Sequence, residues 1–300
     1  MTTQSAEAIP QSPDAVDAPE RMHIGQVLTV ATGHFVHDSF SAFIAPLLPI
    51  LQERLGTGYA ATGSLSIFIQ APSLLNPLIG YAADRVSLRY FIILAPGITA
   101  TLCSALGLSA NYLVLAMLLF AAGISVAAFH APAPAMIGRI SGRNVGAGMS
   151  IFMASGELGR TVGPLLVASA VIWWGVEGIW RLALLGWLCT GFLYWRLHSI
   201  SARPSANRLD LHEIWPQVQR VFPAIVWIQL TRAFMAVAIT TYLPIFMSDI
   251  KQADLWLAAA ALTVLEAAGV VGALATGTSS DWLGRRRVLF VLFLLGPLVL

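Results

Sequence analysis

The side chains most able to do chemistry in this sequence stand inside long apolar runs. His34, His37, Asp38 and Ser41 follow i, i+3, i+4, i+7 spacing, which on a helix gathers them on one face. An ionisable group in the middle of a bilayer is costly unless it is paired or faces water. The face therefore either lines a cavity or forms a buried polar network joining its helix to the neighbours. A carboxylate in a cavity wall can bind and release a proton, and an adjacent imidazole tunes that equilibrium, which makes Asp38, His37 and His34 candidates for proton coupling.

Further along, Glu157 and Arg160 are i, i+3 neighbours that pair either as a register-fixing ion pair or as part of a moving charge relay. Gln229 and Arg232 share a face, and Glu266 lies in mid-run. Arg232 either attracts an anionic substrate or neutralises Glu266. His130 precedes Pro132 and Pro134, where it either stabilises a kink through a hydrogen bond or touches substrate. Glu157 and Glu266 join the proton-coupling candidates, and Arg160, Arg232, Gln229 and His130 are substrate or charge-pair candidates. No HExxH, GxSxG or P-loop pattern is present, so no catalytic residue and no enzyme activity is expected. Cys103 and Cys189 stand alone in apolar runs and read as buried thiols, with no metal site expected.

The elements that hold these residues are set by composition. Of 300 residues, 57% are hydrophobic and 11% charged, against about 25% charged in soluble domains. A net charge of +2 with no basic arm gives no reason to expect nucleic-acid binding. Crossing ~30 Å of hydrocarbon takes about 20 apolar residues as helix. Eight runs qualify, at 24–51, 59–83, 90–108, 112–137, 145–174, 179–197, 221–247 and 255–276, and a ninth starts near Val288. Each exceeds the roughly 9–11 residues of a barrel strand, so the fold class expected is an all-α polytopic membrane protein.

Residues 1–23 are polar, acidic and proline-bearing, without the basic and apolar regions of a cleaved signal, and are expected to form a disordered cytoplasmic tail. Twelve of the 17 Lys and Arg residues lie on the tail side of the runs, against Arg54, Arg181 and Lys251 on the other side, with Arg160 and Arg232 inside. Basic residues favour the cytoplasm, so the N-terminus is expected there; the location expected for the chain is a bacterial inner membrane. The domains expected are the tail, a six-helix bundle at 24–198, a cytoplasmic linker at 199–220 carrying a short surface helix near 209–218, and a second bundle from 221 to 300.

The two bundles echo each other. Gly80-Tyr-Ala-Ala-Asp84-Arg85 with Arg89 follows the second run, and Gly277-Thr-Ser-Ser-Asp281 with Gly284, Arg285 and Arg286 follows the eighth, 197 positions later. Leu48-Pro49-Ile50 returns as Leu243-Pro244-Ile245 after 195 positions. Matching offsets at equivalent places point to duplicated six-helix halves. The motif, its repetition and its position resemble the major facilitator superfamily, whose loop signature is GxxxDRxGRR; the first copy departs from it at Ser87 and Leu88. Residues 33–38, 129–133 and 159–166 narrow the resemblance to its fosmidomycin-resistance branch, proton-coupled exporters of small drugs.

That resemblance implies a proton-coupled secondary transporter, exporting a small drug-like or anionic molecule by alternating access, driven by the proton gradient with no cofactor. Proton symport for uptake and a non-transporting membrane sensor remain open beside it. The partners implied are substrate, protons and lipid, with the chain acting as a monomer. In the resembled fold the first and fifth helices are adjacent, so Arg160 can reach Asp38, and protonating one carboxylate would release the guanidinium to another. Asp281 is expected near the start of the fifth helix, by Arg143, when the cytoplasmic side is closed, and Asp84 near Arg85, Arg89 or Arg143. From Val288 about 20 Å of helix remains, so the second half is expected to be truncated, with about 8.5 helices present.

Overall fold

The computed structural model describes residues 21–83, 89–200, 211–283, 286–288, 290, 291 and 294, leaving aside some side chains, among them those of Gln229 and of 272–283. The chain is all-helical there, with no strand among the described residues. Among the described residues, six helical stretches are long and apolar enough to cross a membrane, at 24–55, 59–82, 89–108, 112–140, 176–197 and 222–249, and a further 30-residue helix at Val145–Trp174 stands between the fourth and fifth of them.

Several spans are broken, and proline explains where. The first consists of α1 (Ile24–Ser41) and α2 (Ile44–Leu55). Pro46 has no N–H to give the Ala42 carbonyl, and the chain steps through Ala42 and Phe43 before resuming. The second runs through α3 (Tyr59–Gln70), a 3₁₀ turn at Ala71–Leu75, and α4 (Asn76–Ala83). The third is α5 (Arg89–Ser104). The fourth bends at Ala131 and Pro132 between α6 (Tyr112–His130) and α7 (Ala133–Ile140). Next comes the unbroken α8 (Val145–Trp174), and after it a 3₁₀ turn at Val176–Leu182 leads into α9 (Ala183–Leu197).

Two boundaries differ from the sequence reading. The surface helix expected near 209–218 is not separate: α10 runs from Leu211 to Asp249 with Pro216, Pro223 and Pro244 inside it. A proline removes one helical bond and kinks a helix without having to end it, and no glycine intervenes. Likewise α11 (Leu255–Leu283) continues past 276 through Gly277 and Asp281, so the second GxxxD copy sits on a helix end rather than in a loop. Gly80 is also helical, within α4.

Asp84, Arg85, Gly284 and Arg285, together with the side chain of Asp281, lie outside the described residues, so the pairing expected for Asp281 and Asp84 does too. Arg286 is exposed, and Arg89 donates to the Ile200 carbonyl at 3.2 Å.

The core has two apolar clusters stacked along the first span. One gathers Val27, Val30, Ile93, Phe129, Ile137 and Phe152; the other gathers Phe40, Leu47, Leu51, Leu106, Leu115 and Leu119. The polar face of α1 falls between them. Large apolar side chains such as Leu74, Trp173, Leu188 and Phe234 point outward, as they do when lipid is the solvent. Arg181 lies over Trp174 and Trp180, and Arg196 over Trp195, the basic and aromatic mixture found at membrane interfaces.

Small residues let α1 and α8 approach closely. At Gly156 a Cβ would run into the His34 ring, at Gly159 into the Phe35 carbonyl oxygen, and at Gly163 into the Ser39 carbonyl oxygen. The second half meets the first at the end of the bundle away from the N-terminus. Tyr59 donates to Asp249 at 2.8 Å, Tyr242 to the Tyr59 carbonyl at 3.4 Å, and Ser66 and Thr241 share a hydrogen bond of 2.8 Å. Deeper in, Thr263 of α11 donates to the Thr161 carbonyl of α8 at 2.9 Å.

Candidate functional site

The α1 face converges on the carboxylate of Asp38, whose side chain is 2% exposed. His37 Nδ1 stands 3.0 Å from Oδ1, and His34 Nε2 lies 3.4 Å from Oδ2 one turn earlier. From α6, His130 Nε2 comes within 3.4 Å of Oδ1. From α8, Arg160 Nη1 donates to Oδ2 at 3.0 Å. The glycine seam makes this last contact possible, because it brings the α8 backbone against α1 at the level of Asp38.

Arg160 has two further acidic partners. Its Nη2 pairs with Glu157 on its own helix, and its Nε lies 3.6 Å from Glu266 Oε2 on α11. One guanidinium thus serves three carboxylates from three helices. Its planar fork of five donors can do so, where a lysine ammonium would have to choose.

The imidazoles are oriented from behind. His34 Nδ1 is 2.7 Å from the Phe152 carbonyl and His130 Nδ1 is 3.0 Å from the Val126 carbonyl. A carbonyl only accepts, so both Nδ1 atoms carry hydrogen. His34 also stacks on the Phe152 ring and His37 on the Phe129 ring, at 4.0 and 4.5 Å between centroids. The kink after α6 places His130, the last residue of that helix and two positions before Pro132, where its ring can reach across to α1.

Ligand atoms of His34, Asp38 and His130 fall within 4.8 Å of one another, a spacing that could hold a metal ion. Arg160 already stands at Oδ2 of the same carboxylate, as a cation built into the site.

A cavity of about 280 Å³ opens beside the cluster, between the two sets of helices. Its wall includes Asp38, Ser41, His130, Arg160 and Glu266, and on other sides Ser66, Gln70, Thr240 and Thr241. The structure therefore brings together Asp38, His34, His37, His130, Arg160, Glu157 and Glu266. It does not add Arg232, which is exposed on α10 and is not among the described residues lining this cavity; Glu266 meets Arg160 instead. Gln229 also lies on α10, with its side chain outside the described residues.

Sequence reasoning missed the hydroxyl and amide wall. Ser66 and Gln70 are i, i+4 polar residues in an apolar span, and Thr240 and Thr241 interrupt another; those positions carry a readable signal. The roles of the Phe152 and Val126 carbonyls leave no such trace, because any residue supplies a carbonyl.

Comparison with known proteins agrees with this architecture. Residues 30–300 match the model of the Major Facilitator Superfamily. The chain is 27% identical over 158 residues to the fosmidomycin resistance protein of Escherichia coli (strain K12), a match covering 52% of this chain and 38% of that protein. It is 24% identical over 191 residues to the uncharacterized MFS-type transporter YfnC of Bacillus subtilis (strain 168), covering 63% of this chain and 46% of the relative. The matched stretch is thus less than half the length of either relative. With a matching model over most of its length, an all-helical multi-pass fold and a charged cavity between two sets of helices, the chain belongs to the Major Facilitator Superfamily of membrane transporters.

Proposed function

We propose that this chain works as a proton-coupled secondary transporter that exports a small drug-like or anionic molecule across a bacterial inner membrane, with its N-terminus in the cytoplasm. The observation that carries the reading is Arg160 held at once by buried Asp38 and by Glu157 and Glu266 on a cavity wall. A proton arriving on Asp38 removes one of the three attractions on the guanidinium, and the two glutamates then hold it. Charge thereby moves from α1 toward α8 and α11, between the two sets of helices whose relative motion gives alternating access. The similarity to a fosmidomycin resistance protein supports export and a drug-like substrate.

Vesicles carrying the full-length protein test this. A pH gradient imposed on inverted and right-side-out vesicles should drive substrate in the direction opposite to protons. Movement in the same direction would establish uptake by symport, and no gradient dependence would overturn proton coupling.

With the N-terminus cytoplasmic, the Tyr59–Asp249 and Ser66–Thr241 contacts close the outer face. Tyr59→Phe removes one hydrogen bond, worth about 1 kcal/mol, and is expected to shift the population toward the outward-open state by roughly fivefold. Labelling of Ser66→Cys by a membrane-impermeant thiol reagent from outside should rise accordingly in the double variant.

A further inference from the structure

The Asp38 carboxylate has no generous path to water of its own. Its side chain is 2% exposed, and the groups around it are His34 at 3%, His37 at 0%, His130 at 32% and Arg160 at 37% exposure. Asp38 itself meets the cavity wall, but almost wholly covered; among the described residues that touch its carboxylate, His130 and Arg160 are the two that line the cavity with substantial exposure. Arginine does not release its proton in proteins. His130 is therefore the exposed titratable group in contact with a nearly covered carboxylate.

The tautomers sharpen this. His34 and His130 each commit Nδ1–H to a backbone carbonyl, so their Nε2 atoms are the exchangeable positions. These two atoms lie 3.3 Å apart, and each is 3.4 Å from an Asp38 oxygen. With both rings neutral, two lone pairs and a carboxylate face one another. A single proton at this meeting point turns one acceptor into a donor and satisfies the others. The remaining charged or titratable neighbours are His37 on α1, Arg160 and Glu157 on α8, and Glu266 on α11.

We propose that His130 is the proton port of Asp38, carrying each proton between cavity water and the buried carboxylate on its Nε2 atom, with His34 as a second, dry acceptor behind it. In the loading direction a hydronium O–H bond breaks and an N–H bond forms on His130 Nε2, giving an imidazolium. That N–H then breaks, an O–H bond forms on Asp38 Oδ1, and His130 returns to neutral as the Asp38 charge opposite Arg160 disappears. Release runs the same steps backward. The proposal rests on the proton-coupled reading above, and it gives the histidine before the α6 kink a role beyond stabilising the bend.

The test follows Asp38 protonation directly in the purified full chain in detergent. After a rapid pH drop, time-resolved infrared difference spectra report the protonated-carboxyl band, assigned to Asp38 by its disappearance in Asp38→Asn. His130→Asn keeps an amide N–H where Nδ1–H meets the Val126 carbonyl, and loses Nε2. It should slow the rise of the band by at least tenfold while the final amplitude stays near that of the parent. His198→Asn, at an exposed imidazole on the end of α9 that meets the Tyr194 carbonyl, should leave the rise within about twofold. Should His130→Asn fold poorly by circular dichroism, His130→Gln supplies the same comparison. Equal rates in the parent and the His130 variant, or a reduced amplitude at an unchanged rate, overturn the port and leave proton coupling standing. A parent spectrum without any Asp38 band across the transport pH range overturns both.

Discussion

Asp38→Asn is expected to abolish pH-gradient-driven transport while leaving the protein folded and inserted. Asparagine keeps the shape of the side chain and much of its bonding. Its carbonyl oxygen can accept from His37 Nδ1, and its amide, standing where Oδ2 was, can donate to His34 Nε2, 3.4 Å from that position, while the Arg160 contact is lost. Removing one partner of a buried ion pair usually costs about 3–5 kcal/mol, because the other charge is stranded. Here Glu157 and Glu266 still hold Arg160, so a stability loss of about 1 kcal/mol is expected instead. What disappears is the change of charge that moves the guanidinium. The measurement is gradient-driven efflux from the full-length variant in vesicles, alongside its thermal unfolding in detergent. Parent-level, pH-dependent efflux would remove Asp38 from the coupling role.

The second large effect comes from one methyl group. Gly159→Ala places a Cβ against the Phe35 carbonyl oxygen, 3.0 Å from the Ser39 nitrogen and 3.2 Å from Asp38 Cβ. Two of these neighbours are backbone, so neither can swing aside, and α1 and α8 must separate. Overpacking of this kind costs about 1–3 kcal/mol. The Arg160–Asp38 contact of 3.0 Å stretches with the separation, and misplacement of a functional group by ~1 Å can cost about 100-fold in rate. Gly146 supplies the control on the same helix. A Cβ there meets nothing within 4 Å, so Gly146→Ala should stabilise by about 0.5–1 kcal/mol through helix propensity alone. Opposite signs for the two substitutions in thermal unfolding, with transport lost only at position 159, are the expected outcome. Equal stabilities would show that the seam tolerates separation.

The helical class was legible because crossing a bilayer demands long apolar runs, and no soluble constraint produces eight of them. Span breaks were partly legible too, since Pro46, Pro132 and Pro134 mark where helical bonds are missing. Less legible were the extents of α10 and α11, whose polar ends look like loop by composition yet are helical, from Leu211 through Pro216 and past 276 through Gly277. At the candidate site, the spacing of His34, His37 and Asp38 revealed a common face, while its partners were hidden. Which helix lies against that face is a tertiary fact; only the family resemblance suggested α8. Glu266 could be placed at mid-span but not matched with Arg160, because that pairing depends on how α11 leans across α8. The meeting of His130 with Asp38 depends on the angle of the bend after α6, which proline locates but does not set.

The glycine seam also has a mechanical meaning. With backbone against backbone at Gly159 and Gly163, α1 and α8 have no room to slide past each other, so Asp38, Glu157 and Arg160 ride together as one rigid block. Glu266 belongs to α11 and is geared to that block by a single contact of 3.6 Å. Any rocking of α10 and α11 against the first six spans therefore lengthens or shortens that one arm and leaves the other two fixed. In the proposed cycle, motion and proton occupancy act on the same lever from opposite ends.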